Sequence, residues 1–386
     1  MDLIYLDHAA TSYPKPRCVL NATVRAMTEA GGNPGRAGHP LSMAASAVVY
    51  RARERAASFF GLPLPEQVLF YPNATYAVNA VLHGIDLSAK QVLISECEHN
   101  AVIRPLAYLQ KTMGVKVEVY PVFGPGDGML SDKQILSGIR ARMTRDTALV
   151  CACHVSNVCG ARLPIADIGA LCRTYRTPFL VDASQSGGMY DIDMTRDGID
   201  YLCCAGHKAL LGPQGSGLLL IGVGAAMPVS FVQGGNGVAS LSAEMPALLP
   251  ESMEAGTLSV PAIAGLDAGM AHLQRIGIGT VRNNCHTLYR RMRDMLEDLP
   301  GVTVYRRTIG EGCALSFNAA GLSCTACAER LSDAGICVRA GYHCAPLAHR
   351  AMGTADCGTV RVSVGYGSTV RDTDRFYRVM KEICRR

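Results

Sequence analysis

Tyr201-Leu202-Cys203-Cys204-Ala205-Gly206-His207-Lys208 is the stretch on which the reading of this sequence turns. Its first five residues are apolar on both faces, the pattern of a strand covered by helices on either side. The run stops at Gly206 and delivers a lysine. A lysine just past a buried strand stands on rigid backbone at a sheet edge, half out of water. Partial desolvation lowers an amine's pKa and leaves it nucleophilic, able to form a Schiff base with an aldehyde. A lone lysine at a strand end is more often a solvated surface group. The reading therefore rests on the company Lys208 keeps.

Outward from this strand the pattern repeats. Strand-like runs lie at Gln67–Tyr71, Gln91–Ser95, Val115–Pro121, Thr147–Cys153, Pro178–Asp182 and Gly217–Ile221, with helical patterns between most of them. This alternation predicts an α/β fold with a doubly wound, mostly parallel seven-stranded sheet. Binding groups in such sheets collect beyond the strands' carboxyl ends. Asn73-Ala74-Thr75, His99, Asn157, Asp182, Gln185 and His207-Lys208 all fall there. Upstream, Met1–Leu6 reads as a short strand, and Asn33 to Pro40 as a loop of turn formers that includes Arg36. A helix is expected from about Ser42 to Phe60, with Ala44, Val48, Ala52, Ala56 and Phe59 as its apolar stripe.

After Thr257 the pattern changes. One long helical region runs from about Pro261 to Leu299, followed by strands at Val302–Tyr305 and Ala314–Asn318 and a helix from about Ser323. Ile336–Arg339 and Val360–Val364 read as strands flanking Gly341-Tyr342-His343-Cys344-Ala345-Pro346, and a last helix begins near Asp372. The expected division is a large domain, residues 14–257, and a smaller α+β domain formed by residues 1–13 and 258–386.

Composition bounds the function. The 386 residues are 49% hydrophobic, enough for a sizeable core. The formal charge is +5 with both signs interspersed and no basic block, which speaks against nucleic acid. Sixteen cysteines in a long chain with irregular spacing and no leader pattern point to buried thiols in a reducing cytoplasm. Ala209 to Ala243 carries no charge, but its glycines and two prolines suit a turn, a strand and a loop better than a membrane span.

Several groups near the strand ends carry chemistry. Asn73-Ala74-Thr75 opens a helix, where free N–H groups and a hydroxyl suit a phosphate, although a simple helix cap explains the same residues. Asp182 is a carboxylate at the mouth of a sheet, costly unless it meets a cation such as a protonated pyridine nitrogen. Gln185 lies three residues on. His99 can stack on a flat ring and carry protons; a structural histidine is the commoner case. Cys344 stands in a mobile-looking glycine-containing loop near Arg339 and His343, positive groups that would lower its thiol pKa. Arg361 can fork onto a carboxylate or make a plain salt bridge. Cys324-x-x-Cys327 has no second pair at zinc spacing and reads as packing, as do Cys151, Cys153, Cys203 and Cys204. No metal site is expected.

Taken in order, these motifs resemble the cysteine desulfurases of the class V aminotransferase family, pyridoxal-phosphate enzymes of fold type I. Asp7-His8-Ala9-Ala10-Thr11 resembles the family's N-terminal segment, and Glu98-His99-Asn100 its ring-stacking histidine. The resemblance implies pyridoxal 5'-phosphate held by Ala74, Thr75, His99, Asn157, Asp182, Gln185, His207 and Lys208, with Thr257 reaching the neighbouring site of a homodimer. Lys208, Cys344 and His99 would be catalytic, and His8, Asn157, Arg339 and Arg361 would hold substrate. The implied reaction converts L-cysteine to L-alanine with a persulfide on Cys344, passed to a protein or thiol acceptor. Selenocysteine lyase, β-lyase and transaminase chemistry belong to the same family, and L-selenocysteine is a second candidate substrate. A non-catalytic sulfur carrier that kept the fold is the reading from outside enzymology. Ala205 departs from the family, which often has a phosphate-binding hydroxyl there, and Ser259-Val260 stands where Asn-Thr is common.

Overall fold

The computed structural model describes residues 3–35, 37–124, 128–305 and 312–385; Met1, Asp2 and Arg36 of the stretches named above lie outside them. The first strand, β1, is Ile4–Tyr5. Seven strands then form the main sheet: β2 (Val68–Tyr71), β3 (Gln91–Ser95), β4 (Lys116–Tyr120), β5 (Thr147–Cys153), β6 (Phe179–Asp182), β7 (Tyr201–Ala205) and β8 (Gly217–Ile221). Their order is β2-β8-β7-β6-β5-β3-β4. The five strands from β3 to β7 run parallel, and β8 is antiparallel to both its neighbours. All residues of β3, β6, β7 and β8 are buried, as two-sided cover requires. Cys153, Asp182 and Cys203 are register partners across β5, β6 and β7. The carboxyl ends of these strands therefore lie side by side, and Lys208 follows three residues after the last of them.

Beyond this sheet, β9 (Val302–Tyr305), β10 (Ala314–Ala319), β12 (Arg339–Gly341) and β13 (Thr359–Ser363) form an antiparallel sheet of order β12-β13-β10-β9. β1 pairs in parallel with β11 (Ile336–Cys337), and Asp7 bridges to Ser363. The N-terminal segment thus crosses onto the C-terminal elements.

Three expectations are corrected. The long helical region is two helices, Val260–Ile276 and Ile278–Glu297, because Gly277 breaks it at φ +83°. The run Ile336–Arg339 is two strands, switching partner from β1 to β13 at Val338. The helix Pro40–Phe59 buries Ala45, Val49, Ala52, Ala56 and Ala57, while Ala44, Val48 and Phe59 are half-buried. Its buried face is turned by one residue because Arg53 is also buried, ion-paired to Glu254 and lying over the Phe70 ring at 4.9 Å. A period-based reading treats an arginine as solvated and places the face elsewhere.

Cys151, Cys203 and Cys204 pack as small hydrophobes, as expected. Ser323 caps the helix Cys324–Asp333, its Oγ accepting the Ala326 N–H at 3.1 Å. Among the described residues no helix is long and apolar enough to cross a membrane.

Candidate active site

A cleft of about 160 Å³ opens at the ends of the central strands, lined by Asn73–Thr75, His99, Asn157, Asp182, Gln185 and His207-Lys208 among others. Asn73 caps the helix Ala74–Gly84, its Oδ1 accepting the Tyr76 N–H at 3.1 Å. The Ala74 and Thr75 amides have no acceptor within the helix, as first-turn amides never do. The helix cap and the anion cradle are therefore compatible readings of one turn.

The Lys208 amine is held below its ordinary pKa, chiefly by burial; Asp182 opposes this, and the nearby Arg361 and Arg339 cations reinforce it. Asp182 is buried, and its Oδ1 accepts the Ser184 N–H at 2.9 Å. Gln185 is fixed by its Nε2, which donates to the Ala9 carbonyl at 2.8 Å. His99 caps the helix Asn100–Met113: its Nδ1 accepts the Ala101 N–H at 3.0 Å, so the ring proton sits on Nε2. Burial and the Lys208 cation hold this imidazole neutral, down to about 4. His207 also lines the cleft, with Nδ1 3.1 Å from Thr11 Oγ1.

Cys344 adjoins the cleft on a strained turn. His343 (φ +49°) and Cys344 (φ +59°) are both left-handed. That costs roughly 1–2 kcal/mol for each non-glycine residue. Three bonds hold the turn. Asn157 Nδ2 donates to the His343 carbonyl at 2.7 Å. The Asn100 N–H, next to His99, donates to the Cys344 carbonyl at 2.7 Å. His343 Nε2 lies 3.1 Å from Thr359 Oγ1. The expected mobile loop is thus a pinned turn. The expected acidifying charge is corrected too: burial drives the His343 pKa down to about 2, so the ring is neutral. Arg339 is the cation at the thiol, with Nη2 3.8 Å from Sγ.

Arg361 is fully buried and is the register partner of Arg339. Its Nη2 bonds to Asp7 at 2.5 Å and its Nη1 donates to the Asn157 carbonyl at 3.1 Å. Among the described residues, Arg361 Nε, Asn157 Oδ1 and Ser184 Oγ are buried without a hydrogen-bond partner.

Two sequence candidates lie elsewhere. His8 faces a separate cavity of about 40 Å³ shared with Ser12, Gln185, Lys208 and Ser363, and its Nε2 meets Ser368 Oγ at 3.2 Å. Thr257 is exposed, accepts from Asn33 at 3.3 Å and borders a different pocket with Phe70, Tyr76 and Ser216. Sequence reasoning gave no role to Asp7, Lys15, Glu98 or Cys153. Cys153 lines the cleft. The Glu98 carboxyl sits beneath it, accepting from Ser95 Oγ at 2.6 Å and the Cys153 N–H at 2.7 Å. Burial raises the Glu98 pKa to about 7. Position was a signal for two of them, since Asp7 follows an apolar run and Cys153 ends one; Lys15 and Glu98 carried none.

The arrangement suits a small anionic ring with a cationic nitrogen. Amides and an imidazole stand at one end of the cleft, a carboxylate within it, and a desolvated amine beside them. Such a site at the strand ends of a mostly parallel seven-stranded sheet defines the fold type I pyridoxal-phosphate class.

The chain belongs to the aminotransferase class-V family, whose model matches residues 4–376. A relative from Mycolicibacterium paratuberculosis named probable cysteine desulfurase is 31% identical over 99% of this chain and 55% of its own length. Another of that name, from Methanothermobacter thermautotrophicus, is 30% identical over 99% of this chain and 95% of its own. The chain thus spans about half of the first relative and nearly all of the second. The apo structure of the cysteine desulfurase from Thermococcus onnurineus superposes with a TM-score of 0.90 at 29% identity, covering 99% of this chain and 95% of that one.

Proposed function

We propose that this chain is a pyridoxal-phosphate-dependent cysteine desulfurase that converts L-cysteine to L-alanine and leaves a persulfide on Cys344. The supporting observation is one constellation. Lys208, Asp182 and His99 line one cleft, and the Cys344 turn is tied to it through Asn157 and Asn100.

When bound, pyridoxal phosphate supplies an electron sink for the substrate's α-carbanion. Ala74, Thr75 and His207 would hold its phosphate, Asp182 its ring nitrogen, and Gln185, Asn157 and His99 the rest of the ring. Arg361 takes the substrate carboxylate through its Nε edge, the edge left without a partner. Lys208, with its depressed pKa, takes the α-proton. The Cys344 thiolate, beside Arg339, attacks the substrate sulfur; the carbon–sulfur bond breaks, its electron pair stays with the carbon skeleton, Cys344 gains the sulfur, and the skeleton takes one proton at the β-carbon and recovers the α-proton from Lys208 to become alanine. His99 is the proton shuttle on that path. In this reading residues 14–257 carry the cofactor, and residues 1–13 with 258–386 carry the cysteine turn. A second copy of the chain supplies Thr257, which is exposed and outside its own cleft.

The test is Cys344→Ala. The variant should still take up pyridoxal phosphate and lose alanine formation from L-cysteine under reductant. Full-rate desulfuration by this variant overturns the assignment. Parallel assays with L-selenocysteine separate the desulfurase from a selenocysteine lyase, since selenium leaves without needing the thiol.

A further inference from the structure

The hydrogen bonds around His207 are over-supplied at one atom. Its carbonyl accepts from the Ser12 N–H at 3.1 Å, Ser12 Oγ at 3.2 Å and Lys15 Nζ at 2.7 Å. Lys15 also donates to Ser12 Oγ at 2.6 Å, which directs the Ser12 hydroxyl proton onto that same carbonyl. Thr11 Oγ1 lies 3.0 Å from this oxygen and 3.1 Å from His207 Nδ1. A threonine has one proton and a carbonyl two lone pairs. With three donors already on the carbonyl, the Thr11 proton belongs on Nδ1.

We propose that Lys15 and Thr11 are positioning residues that fix the tautomer of His207, leaving Nε2–H as the donor to a phosphate bound in the cleft. Lys15 saturates the carbonyl, Thr11 is released to Nδ1, and the ring proton is forced to Nε2. The opposite tautomer would present a bare lone pair to an anion. The tautomer matters because the ring is neutral: burial and the Lys208 and Lys15 cations hold its pKa down to about 4. It matters more here because Ala205 offers no hydroxyl. The inference rests on the phosphate-binding reading of the cleft.

The test compares binding of pyridoxal phosphate and of pyridoxal, which lacks the phosphate, to the apoprotein. Lys15→Met and Thr11→Val should each weaken pyridoxal phosphate about ten- to hundredfold, the scale of one charge-assisted bond. Pyridoxal binding should not change. Thr11→Ser keeps the hydroxyl and should restore affinity, which separates the effect from misfolding. In a His207→Gln background the amide donates whatever its neighbours do, so adding Lys15→Met should have no further effect. Equal weakening of both ligands, or the same loss in the His207→Gln background, makes Lys15 a general strut and overturns the proposal. If the unmodified apoprotein binds both ligands equally, the phosphate reading itself fails and takes this inference with it.

Discussion

Asp7 is the counter-ion that makes a buried Arg361 tolerable, and Asp7→Asn should separate stability from substrate affinity. The Arg361 side chain is 1% exposed and the Asp7 side chain 18% exposed, with 2.5 Å between Nη2 and Oδ1. Removing one partner of a buried pair costs about 3–5 kcal/mol, because the other charge is left uncompensated. Asparagine keeps an acceptor and loses the charge, so the expected cost is about 1.5–3 kcal/mol, the worth of a hydrogen bond to a charged group. Asp7→Ala should approach the larger figure. Urea unfolding of the apoprotein reads both as a lower midpoint at unchanged slope. The effect on binding has the opposite sign. On the proposed role of Arg361, Asp7 offsets part of the charge available to a substrate carboxylate; with asparagine that offset is gone and the guanidinium is still held by the Asn157 carbonyl. Inhibition of the holoenzyme by L-alanine should tighten about three- to tenfold, a fraction of the Coulomb energy of one charge several ångströms away. L-Alanine amide, which has no carboxylate, should show no change. Weaker L-alanine binding together with the stability loss would mean that Asp7 positions Arg361 rather than neutralising it. No stability loss would mean that the pair does not carry the burial of Arg361.

Gly217→Ala should loosen the anion cradle from behind. A methyl there would lie 2.5 Å from the Asn73 carbonyl carbon and 2.7 Å from its Cα, both backbone atoms. The Asn73 turn must move, an overpacking cost of about 1–3 kcal/mol, and pyridoxal phosphate affinity should fall about tenfold or more; unchanged affinity refutes the close packing of β8 on that turn. Acid should destabilise the apoprotein. Burial holds His8 near 4, His154 near 3 and His343 near 2. Their lowered pKa values give stability that is present above the ordinary histidine value of about 6.5 and lost as pH falls toward the folded values, by up to about 1.4 kcal/mol per pH unit for each proton taken up on unfolding. Glu98, raised to about 7, acts oppositely: its contribution is present below the ordinary carboxyl value and lost as pH rises through 7. His99, His207 and His349, also held near 4, act in the same direction, so the lowered imidazoles outweigh the raised Glu98 and stability rises between pH 5 and 6.5, readable as urea midpoints across that range. A flat profile means these rings are not buried neutral.

The legible parts of this molecule are those that local sequence controls. Strands β3, β5, β7 and β8 match their expected bounds, because a strand covered on both faces must be apolar at every position and is cut off sharply by its turns. The residues just past those ends were legible for the same reason. Helix faces were less so: Arg53 is buried by Glu254, 201 residues away, and that partner cannot be read from periodicity.

The same physics explains which partnerships within the site were invisible. Arg361 and Asp7 are 354 residues apart, and Lys15 meets a carbonyl 192 residues on. Each is a charge that burial would forbid on its own, and each becomes possible only once the fold has delivered its partner. The N-terminal segment is where these partnerships meet. β1 docks on β11, Asp7 docks on β13, the strand that carries Arg361, and Thr11 to Lys15 dock on the peptide of His207. One segment of a dozen residues thus ties the strand that carries Arg361 to the peptide beside Lys208. In the proposed reaction the Cys344 thiol and the Lys208 amine share one substrate, and that requires a segment with no chemistry of its own to hold the distance between them. Lys15 and Ser12 have no motif to betray them, because what they recognise is the backbone carbonyl of His207.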